Sequence, residues 1–344
     1  MRKNKIRILH VAQAAGGVDR YIRMLLKYLD KEKFENILVC SQDFHEEDYR
    51  GLADSFEQVE MTRAIGGNDL KAIREVRALI KKYNPNIVYA DQVDFVVHLA
   101  SNTHPVAYAT DPIGTVTANI IGTNNLLKFA VKHHAERFAF ASSNEIYGEN
   151  RGDVEFFDER YCGYIDSNTL RAGYPESKRC GEALCQAYKQ QENLDVVIPR
   201  FTRSYGPTML KTDTKAISQF IKKAVDGDNI ALKSTGTQYY SYTYVADAVA
   251  GFLTVILKGE SGEAYNIADE ASDIMLKDLA KIIADFAGKE VVFELPDETE
   301  KAGYSKATKA RLDGSKLKKL GWTARYDIKQ GLERTMKMLT EISE

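Results

Sequence analysis

The chain has 344 residues, 44% of them hydrophobic and 28% charged, with a formal net charge of −2, a composition that excludes collagenous, disordered and disulfide-dense classes and suits one large domain or two lobes. Without a basic surplus no nucleic-acid partner is expected, short runs such as Lys316-Leu-Lys-Lys319 read as solvated helix faces, and small-molecule chemistry is the better starting point. No stretch approaches the ~18 consecutive apolar residues of a membrane span, and the charges of Met1-Arg-Lys-Asn-Lys5 are not followed by the apolar segment of a secretion signal, so no membrane partner and a cytoplasmic location are expected.

From Ile6 the pattern alternates short β-branched runs with helical stretches. Ile6–Val11 reads as a strand, Val18–Leu29 as an amphipathic helix, and Asn36–Ser41 as a second strand. Phe56–Met61 follows as a strand and Leu70–Tyr83 as a helix. Asn86–Ala90 and Asp94–Ala100 both look like buried parallel strands, yet only Asp91-Gln92-Val93 separates them. Neighbouring parallel strands need a crossover of about a dozen residues, so the two segments compete for one slot. The alternatives are one overlong strand, an antiparallel edge, or two parts of different parentage joined near residue 91. Helical periodicity over Ile113–His133, a strand at Phe138–Ser142, a helix through Gly181–Gln190 and a strand at Val196–Ile198 continue the alternation. This pattern predicts an α/β chain with a Rossmann-like, doubly wound parallel sheet over residues 1–200. After Pro199 the elements shorten and mix, with helices near 216–225, 246–257, 276–286 and 328–338. Residues 201–344 are therefore expected to form a smaller mixed α/β substrate lobe, with segments that return to the sheet. The four cysteines, Cys40, Cys162, Cys180 and Cys185, lack paired metal-ligand spacing and read as reduced thiols, so no metal is expected.

Tyr174 and Lys178 lie one turn apart at the start of the helix that contains Gly181, downstream of Arg137-Phe-Ala-Phe-Ala-Ser-Ser143. An ammonium one turn from a phenol lowers the phenol's pKa, and a strand-end hydroxyl nearby completes equipment for taking a proton off an alcohol while hydride leaves its carbon. A Tyr-x-x-x-Lys spacing alone is weak, and its plain alternative is a packed tyrosine beside a solvated lysine.

Ordered segments supply the context. Asp94–Ser101, Asn119–Leu127, Ser142-Ser-Asn-Glu-Ile-Tyr-Gly148, Tyr174-Pro-Glu-Ser-Lys178, Pro199–Pro207, Tyr244-Val-Ala-Asp247 and Leu320-Gly-Trp322 together resemble the extended short-chain dehydrogenase/reductase family of NAD-dependent nucleotide-sugar epimerases, dehydratases and decarboxylases. The resemblance runs from about Val93 to the end of the chain. It implies Tyr174 as base, Lys178 as its electrostatic partner and ribose ligand, and Ser143 as the hydroxyl that orients the sugar oxygen. It further implies NAD contacts at Leu99, Ala100 and Ser101, a nucleotide-sugar substrate oxidised to a transient ketone, and a homodimer built on the helices at 113–133 and 174–190.

Related sugar dehydratases place an acid pair after the hydroxyl residue. Asn144 cannot be that acid, while Glu145 remains a base or electrostatic partner, an arrangement closer to uronate decarboxylases or an epimerase; a cap or surface charge is its plain alternative. The family's usual asparagine after Pro199 is replaced by Arg203, and its usual arginine before Tyr244-Val-Ala-Asp247 by Tyr240, which reads as a relocated phosphate clamp or as a sign of an unusual substrate. Asn144, Arg203 and Tyr240 are thus the substrate candidates. Tyr239, Tyr240, Tyr242 and Tyr244 either stack a base or pack a core, and packing is favoured.

The N-terminal part departs from the family. Lys5–Val11, Gly16-Gly-Val-Asp-Arg-Tyr21 and Ile73–Ala90 resemble the opening Rossmann-type half of retaining two-domain glycosyltransferases. A Gly-x-x-Gly-x-x-Gly turn is expected there to admit the cofactor pyrophosphate, and only Gly16 and Gly17 are present, with Asp19 and Tyr21 positioned to repel or crowd it. Asp43 is a candidate contact to an adenosine ribose, with a surface loop carboxylate as its plain alternative. The competing readings are a glycosyltransferase-related chain and a recombined, non-catalytic family member unable to bind NAD.

Overall fold

A computed structural model describes residues 6–12, 17–59, 95–99, 101, 110–209, 213–294 and 308–343. Ile6–Ala12 forms strand β1, and helix α1, Gly17–Tyr28, follows. Ile22, Leu25, Leu26 and Leu29 recur at helical spacing and are buried against the sheet. Phe34–Cys40 is β2, Ser55–Gln58 is β3 and Phe95–His98 is β4. The slot contested by the two apolar runs goes to β4, which pairs in parallel with β1 through Ile8↔Phe95 and with β5, Arg137–Phe140, through Phe95↔Arg137. Asn86–Ala90 and the helix expected at Leu70–Tyr83 lie outside the described residues.

Between β4 and β5 the expected single helix is interrupted. Helix α2, Pro112–Thr117, runs into a π-helical turn at Ala118–Gly122 and resumes as α3, Thr123–Lys132. The interruption coincides with a buried polar residue: Asn119 donates its amide to Ser177 Oγ at 2.8 Å, and Thr123 Oγ1 bonds the Asn119 carbonyl. Such side-chain competition for the backbone ladder is a usual cause of π turns. Past β5 come β6, Ser142–Ser143, then α4, Gly173–Glu192, and β7, Val196–Phe201. Helix α4 presses its backbone onto β5 at Gly181, where a Cβ would collide with the Phe140 ring.

Arg203–Tyr205 forms β8, Ala216–Val225 α5 and Ile230–Leu232 β9. They are followed by β10, Tyr239–Tyr244, and α6, Val245–Lys258. β11, Ala264–Ile267, sits in the main sheet beside β7, and β12, Asp273–Met275, in the lobe. Leu276–Ala287 is α7, Val291–Phe293 β13, Lys309–Ala310 β14, Ser315–Lys318 α8 and Ile328–Ser343 α9. Among the described residues the main sheet has eight strands in the order β11-β7-β5-β4-β1-β2-β3, with β6 alongside β7, and every pairing is parallel. Strand order reverses between β1 and β4, and the crevice above the carboxyl ends at such a reversal is where ligands bind in open α/β sheets.

Tyr240, Tyr242 and Tyr244 are buried with α5, α7 and α9 in one apolar cluster that also takes in Ile146, Tyr147, Phe157 and Tyr161; packing, rather than an open stacking surface, is their main environment. Two segments far apart in sequence meet here. Asp247 accepts the backbone N–H groups of Arg325 at 2.9 Å and Tyr326 at 3.0 Å, and Trp322 Nε1 donates to the Asp247 carbonyl at 3.1 Å. No helix of the described residues is long and apolar enough to cross a membrane.

His10 on β1 and His98 on β4 are both buried, on opposite faces of the main sheet, since His10 stands across from Val97. Burial pushes His10 down to about 4 against the hydrogen bond that its Nε2 donates to Asn36 Oδ1, and burial with the nearby Lys178 charge pushes His98 down to about 3. Both imidazoles stay neutral in the folded chain, while the unfolded chain binds protons from about pH 6.5 downward. Stability is therefore complete above that pH and falls as the pH drops toward 4, by roughly 2 kcal/mol per histidine between pH 6.5 and 5. Urea denaturation at pH 7.5 and pH 5 checks this; an unchanged midpoint would contradict it.

Candidate active site

Tyr174 is the second residue of α4 and Lys178 lies one turn on, both facing the carboxyl ends of β4, β5 and β6. The Tyr174 hydroxyl shares hydrogen bonds with Ser143, at the end of β6, and with Ser101, beyond β4. Ser143 Oγ also accepts the Glu145 N–H at 3.3 Å, capping a short 3₁₀ turn at Asn144–Tyr147. Lys178 is buried, and its Nζ donates to the Ala141 carbonyl at 2.8 Å while lying 4.9 Å from the Phe140 ring centroid and 5.9 Å from that of Tyr174.

Burial dominates the phenol, which is pushed up to about 12; Ser143 pulls it down, Glu145 raises it, and Arg171 and Ser101 lower it. The expected role of Lys178 in acidifying Tyr174 thus falls, in the ligand-free protein, to two hydroxyls and a guanidinium, because the ammonium is turned to the Ala141 carbonyl. Lys178 itself is pushed down to about 8 by burial, opposed by Glu182 one turn further along α4 and by Cys185. It still carries its charge at neutral pH.

Glu145 is neither a cap nor a free surface charge. Its carboxylate pairs with Arg171 Nη2 at 2.7 Å, from the turn that precedes α4. Asn144 has its amide spent: oriented to its neighbours, it accepts from Arg203 Nη1 at 3.0 Å and donates to the Phe201 carbonyl at 3.3 Å. The guanidinium carbon of Arg203 in turn lies over Tyr240, 3.7 Å from the ring centroid. The two residues at which the sequence departs from its resemblance therefore touch, so the guanidinium gained at Arg203 sits beside the ring that stands where an arginine was expected.

Behind this surface runs a second layer that the sequence reading missed. Arg200, on β7, binds both carboxylate oxygens of Glu182, at 2.9 and 2.6 Å, and also donates to Tyr147 Oη at 2.9 Å and the Glu159 carbonyl at 2.7 Å. Ser142 Oγ joins Glu182 at 2.5 Å, and Tyr147 Oη donates to Asn266 Oδ1 at 2.6 Å. Arg171 was also missed. Its spacing, three residues before Tyr174, placed it near the site, but its pairing with Glu145 spans 26 positions.

Toward the N-terminus, Gly17 opens α1, while Gly16 and Ala100 lie outside the described residues. Asp19 does not stand open to repel an anion. It is paired with Arg23 at 2.6 Å and accepts from Tyr49 Oη at 2.5 Å. Asp43 is exposed in the loop after β2, and Leu99 packs against the sheet core just past β4.

A family profile described as the NAD dependent epimerase/dehydratase family matches residues 25–268. The chain belongs to this family. It is 31% identical over 249 residues to UDP-glucuronic acid decarboxylase 1 of Xenopus tropicalis, covering 71% of this chain and 56% of that protein. It is 30% identical over 242 residues to UDP-glucuronic acid decarboxylase 6 of Arabidopsis thaliana, covering 70% and 68%. The aligned region spans little more than half the length of several of these relatives, 54% for UDP-glucuronic acid decarboxylase 2 of Arabidopsis thaliana. Among solved structures, the fold is similar to a UDP-glucose 4-epimerase of Thermotoga maritima with UDP-glucose, at a TM-score of 0.79 and 22% identity, covering 98% of this chain and all of that one, 100%. It is similar also to a UDP-glucuronic acid 4-epimerase of Bacillus cereus in complex with UDP-glucuronic acid and NAD, at a TM-score of 0.75 and 19% identity over 98% and 99% of the chains. At these identities the structural likeness speaks for the fold. The epimerase/dehydratase profile begins inside α1 and takes in β2 and β3, so family likeness reaches into the part whose motifs resemble a glycosyltransferase.

The donor set fits the nicotinamide-ribose end of the family's NAD. A buried ammonium has three N–H groups, and Lys178 gives one to Ala141, beside a phenol and the Ser101 hydroxyl, which suits a vicinal diol. Residues 13–16, with Gly16 of the expected pyrophosphate turn, lie outside the described residues.

The Arg200–Glu182 pair sets the stiffness of the wall behind the site, with side chains only 9% and 13% exposed. Replacing Arg200 with Met strands the Glu182 carboxylate and is expected to cost about 3 kcal/mol or more. Guanidinium-chloride denaturation checks this, and a loss below about 1 kcal/mol would show that the pair is dispensable.

Proposed function

We propose that this epimerase/dehydratase family member oxidises the C4 hydroxyl of a nucleotide-linked sugar to a transient ketone, with NAD as oxidant. What supports the reading is the Tyr174 hydroxyl shared with Ser143, at the end of β6, and Ser101, beyond β4, on the carboxyl-end side of the parallel sheet. NAD, when bound, supplies the hydride acceptor. Tyr174 takes the proton from the sugar hydroxyl, Ser143 holds the same oxygen in line, and Lys178 binds the ribose and stabilises the phenolate. Leu99 and Ser101 would flank the nicotinamide half, with Gly17 and Asp43 toward the adenosine half.

Removal of the O4 proton and the C4 hydride makes C5 the neighbour of a ketone. Where C5 carries a carboxylate, the C5–C6 bond can break, C6 leaving as carbon dioxide and the electron pair passing into the C4–C5 enolate, whose oxygen stays on Ser143 and Tyr174. Asn144 supplies no acid for loss of a hydroxyl, which favours this course, or simple inversion, over dehydration. The decarboxylase names of the relatives support the same direction. A homodimer is expected through α2, α3 and α4, where Ile113, Ile121 and Leu170 stand exposed.

Tyr174→Phe is expected to reduce turnover of UDP-glucuronic acid or UDP-glucose with NAD by roughly 10²- to 10⁴-fold with the fold intact; wild-type turnover would end the assignment. Arg171→Met removes a cation that pulls the phenol down and releases Glu145, which pushes it up. The acid limb of the kcat/KM profile should therefore move to higher pH, and a limb that stays in place would disconnect Arg171 from the base.

A further inference from the structure

We propose that Arg203 is the specificity-determining residue of the sugar site, binding a carboxylate on the sugar carbon next to the one oxidised. The inference rests on the reading of Tyr174 as the base at C4 and goes beyond it by naming the substrate class and the residue that selects it. Arg203 lies on β8 and is half-buried, yet among the described residues no carboxylate comes within ion-pair distance of it. Its two neighbours are neutral and orienting: Tyr240 carries the guanidinium on its ring face and Asn144 fixes Nη1. The nearest acid, Glu145, is already committed to Arg171 at 2.7 Å. Around Tyr240 there are thus two guanidiniums and one carboxylate, and with Glu145 paired to Arg171 the guanidinium of Arg203 is the surplus positive charge of the cluster. A guanidinium carries its N–H donors in a planar fork, and with Nη1 given to Asn144 the remaining donors suit a two-oxygen anion.

Two groups on a nucleotide sugar could supply that anion, a sugar carboxylate and the diphosphate, and position separates them. Asn144 follows directly after Ser143, and Ser143 shares the Tyr174 hydroxyl. A guanidinium bonded to the side chain of Asn144 therefore faces the reacting end of the ring. C5 and its substituent adjoin C4, whereas the diphosphate leaves from C1 across the ring. The substrate that fits is a nucleotide-linked uronate, and Arg203 takes its carboxylate rather than its diphosphate. The same geometry accounts for Asn144: an acid in its place would satisfy Arg203 internally and close the subsite.

The test is calorimetric titration of NAD-loaded Tyr174→Phe protein, which binds without turning over, with UDP-glucuronic acid, UDP-glucose and UDP. The proposal expects the uronate to bind at least about 10-fold tighter than the hexose. Adding Arg203→Met should erase that preference, weakening the uronate roughly 10- to 100-fold while leaving UDP-glucose and UDP within about 3-fold, and Arg203→Lys should restore part of the loss. Circular dichroism and retained NAD binding check that the variants are folded, and Arg203→Lys serves alone if Arg203→Met is not. Equal weakening of all three ligands would make Arg203 a diphosphate clamp and overturn the proposal, as would an unaltered uronate preference. If NAD binds but no nucleotide sugar does, the reading of the site as a sugar oxidase fails first and the carboxylate subsite with it.

Discussion

One buried guanidinium holds together the wall on which the chemistry is mounted. Arg200 projects from β7 into the space between α4, the turn at Asn144–Tyr147 and the returning strand β11, and it bonds the carboxylate of Glu182, the Tyr147 hydroxyl and the Glu159 carbonyl. Asn266 extends the network to the Phe157 and Asp313 carbonyls, each at 3.0 Å. A charge taken this far out of water is tolerable only when every N–H finds an acceptor, which ties several distant segments to a single geometry. Ser142 is part of that geometry through Glu182, so the adjoining Ser143 and the helix that carries Tyr174 and Lys178 share one anchor.

In front of the wall the balance reverses. Burial opposes ionisation of both Tyr174 and Lys178, and the local charges are graded against it: Ser143, Arg171 and Ser101 act on the phenol, while Glu182 acts on the ammonium. With the phenol pushed up to about 12 and the ammonium down to about 8, both groups are protonated at neutral pH. Arg171, ion-paired with Glu145, couples this proton chemistry to the substrate side of the cleft.

Much of this was legible in the sequence because it rests on local spacing. The strand and helix alternation follows from periodicity, and Tyr174, Lys178 and Ser143 are defined by one helical turn and one strand end. The missing parts depend on contacts over long separations. Nothing in the pattern pairs Arg200 with Glu182, Arg171 with Glu145, or Asn119, in the π turn of the helix after Asp111, with Ser177. Arg203 and Tyr240 were recognisable as departures from a family pattern, but only the pairing of β8 with β10 reveals that they touch. Asp19 looked like an obstacle to an anion because a sequence does not disclose the Arg23 and Tyr49 that occupy it.

The central claim is that this wall, with an N-terminal half that lacks the glycine turn, serves an NAD-dependent oxidation. Calorimetric titration of the purified protein with NAD⁺ and NADH, after release of any cofactor carried through purification, tests it most directly. The account predicts saturable binding in the micromolar range or tighter, with one site per chain. A folded protein that binds neither form would contradict it, leaving a catalytic tyrosine and lysine without their oxidant.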